Sequence, residues 1–321
     1  MKHIFLFVAA VFIIVSVTLT ACKKSANNNT PATTGNLCHL MAGLRNSPQS
    51  LSVTAGRDTV IYCARGTKLH FYTYSFVDVG GHPITSGTVN LSVTEIYKTG
   101  DFITNCTSTA AFDSLLNSGG EVFIAATMNG QPVYANKYGI GFTQSAPSSI
   151  PMQLFYGLIK GSDSTITWSK DYVPNPGTSC AQATFDVSGF SFLRYQFDSC
   201  AGFNWVNCDH FAGITSSKTN VKVVLPDASF NATNTQAFIA LPGYRVTLGV
   251  GVYTSATSTY SLNTGSWLPL GASYEVIVIA NKNGGFYYYE STGIITDGVT
   301  INAAMSAKTE SEILTMLQTL N

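Results

Sequence analysis

Charged residues are scarce in this chain: Asp, Glu, Lys and Arg make up only 11% of its 321 residues. The 17 basic side chains balance the 17 acidic ones, so the formal net charge is zero when histidine is neutral. A protein without a basic excess has no electrostatic means of attracting nucleic acid or an anionic membrane surface. The composition therefore predicts no nucleic-acid partner.

Motifs that hold metals or cofactors are also missing. The histidines beyond the N-terminal segment are scattered without an HxH or HExxH pattern, and no CxxC pair occurs. Neither a G-x-S-x-G elbow nor a glycine-rich loop that opens a helix is present. We therefore expect neither a metal site nor a cofactor.

The chain begins with its longest apolar run. Lys2 and His3 precede residues 4–19, which are almost all apolar, and this layout is typical of a secretory signal rather than a spanning helix. The following "LTAC", which ends at Cys22, resembles a bacterial lipobox. We therefore predict that residues 1–21 are a lipoprotein signal peptide and that Cys22 is lipidated, which leaves 16 basic against 17 acidic side chains. An ordinary signal peptide with a chance cysteine is the alternative.

Residues 22–36 are polar and low in complexity, which predicts a flexible tether. Lys23 stands where an Asp would resemble an inner-membrane retention signal, so we expect anchoring in the outer membrane through the lipid. The acidic run that resembles a surface-export signal of Bacteroidota lipoproteins is missing. The anchored protein is therefore expected to face the periplasm, with the cell surface as the alternative.

Six cysteines remain once Cys22 is assigned to the lipid, and an even number in an oxidising compartment favours disulfides. The spacing does not fix the pairing, although Cys200 and Cys208 are close enough in sequence to close a loop. The disulfide candidates are Cys38, Cys63, Cys106, Cys180, Cys200 and Cys208.

Strand patterns dominate the remaining chain. In "GTVNLSVTEIY", Val89, Leu91 and Val93 alternate with polar residues, as in a half-buried strand. The pairs Asn129-Gly130 and Asn283-Gly284 each stand between two strand-forming runs, which predicts two tight hairpins.

Helical signals are few. "KTESEILTMLQTLN" starts with a capping box and continues with an apolar stripe, which predicts a C-terminal helix packed on the last sheet. A weaker helical turn is expected in "TAAFDSLLNSGG", residues 109–120.

The sequence therefore predicts an all-β fold with two antiparallel β-sandwich-like domains and a short C-terminal helix. The domains are expected at 37–150 and 151–321, and the polar "TQSAPSSIP", residues 143–151, is the expected junction.

Two blocks resemble an uncharacterised family of Bacteroidota envelope lipoproteins. The first is "SGTVNLSVTEIYKTGDFITN" followed by "LLNSGGEVFIAATMNGQPVY", which resembles the family's SGG-strand module and, distantly, ZU5-type β-sandwiches. The second is "FNWVNCDHF", which resembles the family's "GWINCDRF" signature, with Asn204 for Gly and His210 for Arg. The resemblance covers roughly residues 80–295. It implies a shared fold and an envelope location, but no activity.

The stretch "FNWVNCDHF" also contains the candidate catalytic residues. Cys208 with His210 as its base would be a thiol pair, unless Cys208 is bridged to Cys200. Alternatively, Asp198 and Asp209 could flank a glycosidic bond, with His210 nearby. Ordinary structural roles for these side chains, such as hydrogen bonds in turns, are the other interpretation.

Aromatic residues are the candidates for binding. Trp205 could stack on a sugar ring, and in "FYYYE" the rings of Tyr287 and Tyr289 share one face of a strand. "HFYTYSF", residues 70–76, similarly places alternate aromatic rings on one face. The sequence thus favours a non-catalytic binding or structural protein whose partner is a glycan, a peptide or another envelope protein. A glycan- or peptide-directed hydrolase that uses Asp198, Asp209 and His210 is the alternative.

Overall fold

A computed structural model of the chain describes residues 32–33, 41–45, 47–111, 114–143, 150–160, 165–170, 194–262 and 268–320. These residues are mainly in strands, and the helices are short, so the predicted all-β class is confirmed. None of the helices in these ranges has the length and apolar character needed to cross a membrane. The predicted signal peptide, Cys22, Cys38 and Cys180 lie outside the described residues.

The first part of the chain supplies the strands of one sandwich, together with one early strand that joins the second. These strands are β1 (Ala32–Thr33), β2 (Gln49–Thr54), β3 (Thr59–Tyr62), β4 (Lys68–Phe71), β5 (Phe76–Val77), β6 (Thr88–Ile96), β7 (Ala110–Ala111), β8 (Ser114–Met128), β9 (Gln131–Pro132), β10 (Tyr134–Ala135), β11 (Tyr138–Thr143), β12 (Gln153–Lys160), β13 (Thr165–Ser169), β14 (Arg194–Cys200) and β15 (Asn204–Phe211).

Two sheets enclose the first core. The large sheet has the order β13-β12-β15-β8-β6-β2, with β7 and β9 also paired to β8, and the small sheet has the order β14-β11-β4-β3. Val89, Leu91 and Val93 are at most 2% exposed and belong to this core, as their alternation in the sequence predicts. Phe71 of β4 and Phe197 of β14 face them from the small sheet. The side of each sheet that points away from this core is called its outer face below.

The second sandwich is built from the rest of the chain. Its strands are β16 (Lys218–Thr219), β17 (Lys222–Val224), β18 (Thr235–Leu241), β19 (Val246–Val250), β20 (Val252–Thr254), β21 (Thr259–Ser261), β22 (Leu268–Pro269), β23 (Ser273–Lys282), β24 (Gly285–Ile294), β25 (Thr300–Asn302) and β26 (Ser306–Lys308). One sheet has the order β19-β18-β23-β24-β26 and the other β1-β20-β21-β17-β25. Their inner faces share a second apolar core.

Strand β1 corrects one prediction, because Ala32 and Thr33 were assigned to the flexible tether. They pair antiparallel with Tyr253 and Val252 at the edge of the second sandwich. The tether is therefore shorter than the polar composition of residues 22–36 predicts.

The C-terminal helix α2 (Glu310–Thr319) confirms the predicted capping box. The Glu312 N–H donates to Thr309 Oγ1 at 3.2 Å, and the Thr309 N–H donates to Glu312 Oε2 at 2.7 Å. Ile313 and Leu317 pack against Ile277 of the sheet formed by β19-β18-β23-β24-β26, as the apolar stripe predicts.

A second helix, α1 (Thr99–Asn105), was not predicted. Its N-terminus is fixed by Asp101, whose Oδ2 accepts the N–H of Tyr97 and of Lys98 at 3.0 and 2.9 Å. The helical turn expected at residues 109–120 is wrong, because that stretch forms β7 and the start of β8. Tertiary pairing with neighbouring strands overrides the weak local helical pattern there.

The expected domain boundary near residue 150 is also wrong. Strand β12 pairs with β15, which pairs with β8, so strands on both sides of that point belong to one sheet. The change from the first core to the second falls between β15 and β16 instead. Pro31–Asn321 nevertheless form one compact unit rather than two separate ones.

Both predicted hairpins are confirmed. Asn129 and Gly130 have φ of 51° and 76° between the paired residues Met128 and Gln131. Asn283-Gly284 has the same geometry between β23 and β24. Positive φ at both central positions matches the strand twist in a two-residue turn.

The "SGG" of β8 forms a β-bulge against β15. Glu121 lies opposite Asn207, and Ser118 lies opposite Asp209. Between these two pairs β8 has two residues, Gly119 and Gly120, whereas β15 has only Cys208. Gly120 has φ of 125°, which side chains rarely tolerate, and a Cβ atom there would lie 2.5 Å from Cδ1 of Tyr97. The bulge puts Ser118 and Glu121 on the same face of the sheet, whereas strict alternation would separate them.

We predict that Gly120→Ala destabilises the protein by about 1–3 kcal/mol, since it adds both backbone strain and a steric clash. Urea denaturation of the two proteins measures the difference. Gly243→Ala is the matched control, because its φ is ordinary and a Cβ atom there meets nothing within 4 Å. Equal stability of the two variants would contradict the proposed role of the bulge.

Candidate functional site

The structure separates the two carboxylates of the predicted hydrolase site. Phe197 of β14 faces the first core, so its neighbour Asp198 lies exposed on the outer face of the small sheet. Cys208 of β15 faces the same core, so Asp209 lies on the outer face of the large sheet, where it is 0% exposed. The two carboxylates are thus on opposite sides of the sandwich. Glycoside hydrolysis requires them to flank one bond.

The other residues of "FNWVNCDHF" are packed as structure. His210 is 5% exposed, and its Nδ1 lies 2.9 Å from the backbone oxygen of Phe211. Trp205 is half-buried on the outer face of the large sheet, with its ring 5.0 Å from that of Phe123. The structure does not expose Trp205 as a platform for a sugar.

The described cysteines also correct an expectation. Cys63, Cys200 and Cys208 are buried free thiols, so the loop closure expected between Cys200 and Cys208 is not formed. Burial raises the pKa of the Cys63 thiol to about 12, and it raises the pKa of Cys208 well above its usual value. A thiol held protonated in an apolar core is a poor nucleophile, which argues against a Cys208–His210 pair.

Tyr287 and Tyr289, the other predicted platform residues, pack against the second core. The ring of Tyr287 meets that of Phe230 edge-on at 5.3 Å, and Lys282 Nζ lies 4.7 Å from the Phe230 ring. Both tyrosines are half-buried. The two tyrosines therefore pack against the sheet and do not form an open surface for a ligand.

A further aromatic group, with one exposed and two half-buried rings, lies on the small sheet at the end of β4. It is formed by His70, Tyr72 and Tyr74, which we call the aromatic strip. Alternation in β4 turns Phe71 into the core and His70 outward. After the turn at residues 72–75, Phe76 of β5 also points into the core, and the two phenylalanines are 0% and 1% exposed. The rings of His70 and Tyr72 are 4.3 Å apart. Those of Tyr72 and Tyr74 are 5.9 Å apart and nearly parallel, at 16°.

A buried serine fixes the turn that carries the strip. The Ser75 side chain accepts the N–H of Tyr72 at 2.7 Å and donates to the backbone oxygen of Lys137 at 2.5 Å. The Ser75 backbone oxygen in turn accepts the N–H of Asn136 at 2.7 Å. Tyr74 is therefore presented to solvent, 48% exposed, on a turn that is hydrogen-bonded to the neighbouring chain segment.

Polar groups surround the aromatic strip. The Tyr72 hydroxyl donates to the backbone oxygen of Asp198 at 2.9 Å, and Lys137 Nζ lies 5.6 Å from the Tyr72 ring centre. His70 Nε2 lies 2.9 Å from Asp58 Oδ1. Burial, helped by the charge of Asp198, raises the pKa of Tyr72, so its hydroxyl remains a donor. Aromatic faces beside carboxylates and a cation can stack on a ligand and hydrogen-bond its polar groups.

A second cluster is buried on the outer face of the large sheet. We call Thr107, Ser118, Glu121, Asn207 and Asp209 the acidic cluster. The Asn207 amide donates to Asp209 Oδ2 at 2.5 Å, and the Ser118 hydroxyl donates to Asn207 Oδ1 at 3.4 Å. The carboxyl groups of Glu121 and Asp209 are both buried, since each residue is 0% exposed.

Burial dominates the electrostatics of this cluster. It raises the pKa of Asp209 to about 8, although Ser118 and Asn207 favour the ionised form. It also raises the pKa of Glu121 well above the usual range, and the charge of Asp209 adds to that shift. A buried carboxyl group without full compensation prefers its neutral form.

Sequence reasoning identified Asp209 but not Glu121. The available signal was a carboxylate that stands directly between "SGG" and the apolar run "VFIAA". The alternating rings of the aromatic strip can be read in the sequence, but their exposure depends on which face of the small sheet is buried. In the part of the chain that the structure describes, no group of three or more His, Cys, Asp or Glu side chains is arranged to hold a metal.

Comparison with known proteins gives no further guidance. The chain matches no protein-family model and no curated protein.

The raised pKa of Asp209 predicts a pH dependence. Between about pH 4, where a carboxyl group of the unfolded chain loses its proton, and about pH 8, the folded protein retains this proton. The free energy of unfolding should therefore fall as pH rises through this window, by up to about 1.4 kcal/mol per pH unit from this group.

Urea denaturation at several pH values in metal-free buffer measures this slope. Asp209→Asn should flatten it, because the amide does not titrate. Asp198→Asn, which changes an exposed carboxylate, should keep the slope of the unmodified protein. Parallel curves for all three proteins would show that Asp209 titrates normally.

Proposed function

We propose that this protein is a lipid-anchored envelope protein that binds a glycan without cleaving it. The observation that carries the proposal is the aromatic strip, in which the exposed ring of Tyr74 stacks on the half-buried ring of Tyr72, itself beside the half-buried ring of His70, at a hydrogen-bonded turn of the small sheet. Soluble proteins normally turn such rings inward or pack them against neighbours, as this chain does at Tyr287.

A glycan fits the strip for two reasons. The ring of Tyr74 is half-exposed, and it offers a flat apolar face to the C–H groups of a sugar. Asp58, Asp198 and Lys137 around it supply acceptors and donors for hydroxyl groups. Binding without cleavage is supported by the placement of Asp198 and Asp209 on opposite sides of the sandwich.

The envelope location rests on the first residues of the chain. The apolar run, "LTAC" and the polar stretch that follows them support an acylated Cys22, and Lys23 supports the outer membrane. The resemblance to Bacteroidota envelope lipoproteins supports the same location. An anchor that faces the periplasm would present the strip to cell-wall polysaccharide, and a surface anchor would present it to external glycans.

Tyr74→Ala should weaken glycan binding about tenfold, which corresponds to about 1.4 kcal/mol. A polysaccharide array that includes peptidoglycan fragments identifies the ligand, and calorimetry with the retained sugar measures the affinity. The substitution removes a ring that lies outside the core, so the fold should be kept.

Tyr134→Ala is the matched control, because Tyr134 is similarly exposed, at 43%, but is not part of the strip. Equal loss of affinity in both variants, or none in either, would contradict the assignment of the strip. Retention of extended peptides alone on a parallel peptide array would show that the ligand class is wrong. Recovery of a shortened glycan would show that the protein cleaves it.

Cys22→Ser should abolish the anchor, since acylation needs the thiol. Cells fed an alkyne-labelled fatty acid should label the unmodified protein and not the variant, and the variant should leave the membrane fraction. Continued labelling of the variant would show that the lipid is attached at another residue. Cys106→Ser is the control, because it makes the same substitution outside the lipobox and should leave the labelling unchanged.

A further inference from the structure

Two buried glutamates of the first sandwich differ in their hydrogen bonds to the protein. Glu95 is 8% exposed, and its two carboxylate oxygens accept the N–H groups of Arg65 and Thr67 at 2.7 and 2.9 Å. Glu121 is 0% exposed, and neither of its carboxylate oxygens has a hydrogen-bond partner among the described residues. Both oxygens of the Glu95 carboxylate thus accept hydrogen bonds, whereas both oxygens of the Glu121 carboxylate are left without a donor among the described residues.

The open positions lie together in the acidic cluster. Besides both oxygens of Glu121, Oδ1 of Asp209 and Oγ1 of Thr107 are buried and have no hydrogen-bond partner in the described part of the chain. The register of β8 and β15 places Glu121 opposite Asn207 and Ser118 opposite Asp209, which brings the two carboxyl groups together. Thr107 lies near enough to lower the pKa of Glu121, whereas the charge of Asp209 raises it. Unpaired buried oxygens are costly, and the cost is largest for carboxylates.

We propose that the acidic cluster binds a Ca²⁺ ion through the oxygens of Glu121, Asp209 and Thr107. Two carboxylates supply a charge that a divalent cation neutralises, and all the open ligand atoms are oxygens, which hard cations prefer. Glu121 can bind in the bidentate mode because both of its oxygens are open. The Oδ1 of Asp209 is open, while its Oδ2 accepts from Asn207, so that amide orients the carboxylate toward the ion.

Ca²⁺ fits better than other common cations. Zn²⁺ prefers nitrogen and sulfur ligands, and no such ligand belongs to the cluster. Mg²⁺ demands strict octahedral geometry and keeps several waters, which suits a site with 0% exposed carboxylates poorly. The flexible coordination of Ca²⁺ accommodates a mixture of carboxylate and hydroxyl oxygens.

The position of the cluster predicts what the ion does. Thr107 lies between α1 and β7, and two residues later the Thr109 N–H donates to the Thr247 oxygen of β19 at 2.9 Å. Next to Asp209, the Ser118 N–H donates to the backbone oxygen of Arg245 at 3.3 Å. The ion would therefore clamp the 107–111 segment onto the large sheet, where the first sandwich meets β19. This role is independent of the glycan proposal.

The test is thermal unfolding of the full mature chain at neutral pH, first stripped with a chelator and then titrated with Ca²⁺. The unfolding temperature should rise by about 5–10 °C at a Ca²⁺ concentration a hundredfold above the dissociation constant. Glu121→Gln should lose this rise, since the amide removes a charge and an acceptor with little change of shape. Glu310→Gln, which makes the same change at an exposed glutamate outside both clusters, should keep it.

A direct measurement covers the case in which Glu121→Gln does not fold. Equilibrium dialysis of the unmodified protein should retain a single Ca²⁺ per chain against excess Mg²⁺. An unfolding temperature that Ca²⁺ leaves unchanged, an equal rise in the Glu121→Gln variant, or no retained Ca²⁺ would each overturn the proposal. The last result would mean that the carboxyl groups of the cluster are held neutral by protons instead.

Discussion

The pairing of β8 is the constraint on which the first sandwich and the acidic cluster depend. This strand, Ser114–Met128, is bonded to β6 on one side and to β15 on the other, and it also pairs with β7 and β9. One of its faces supplies Val122 and Ile124 to the first core, and the other carries Glu121 at the junction with β19. A sheet covered on both sides must bury whatever its central strand carries, including a carboxylate. The bulge at Gly119-Gly120 then decides that Ser118 and Glu121 share a face.

The two clusters differ in the physical problem that each one poses. The aromatic strip exposes the Tyr74 ring, which folding could have buried, and an external ligand can cover it. The acidic cluster buries charged groups that water could have solvated, and a proton or an internal cation can compensate them. A binding surface and a structural ion site are the functions that we propose for them.

Local sequence chemistry predicted the local structure well. The capping box of Thr309 and Glu312 starts α2, and the Asn-Gly turns close their hairpins, because these features depend on neighbouring residues. The predictions of secondary structure and of the domain boundary failed where pairing with strands distant in the chain decides the structure. Residues 109–120 have a weak helical pattern, but pairing between β7 and β8 and between β8 and β15 draws them into strands. The pairing of β15 with β8 also crosses the expected boundary near residue 150. Of the candidate site, Asp209 was identified and its partner Glu121 was not, since their proximity requires the β8–β15 register.

The sequence by itself determined the all-β class, the alternation that turns Phe71 inward and Tyr72 outward, and the position of the last helix. Each of these follows from contacts between residues a few positions apart. Only the tertiary structure decided that Tyr287 is packed while Tyr74 is exposed, and that Asp198 and Asp209 face opposite sides of the sandwich. The reason is that strand periodicity specifies two faces but not which neighbours cover them. That depends on sheet order, which pairs segments far apart in the chain.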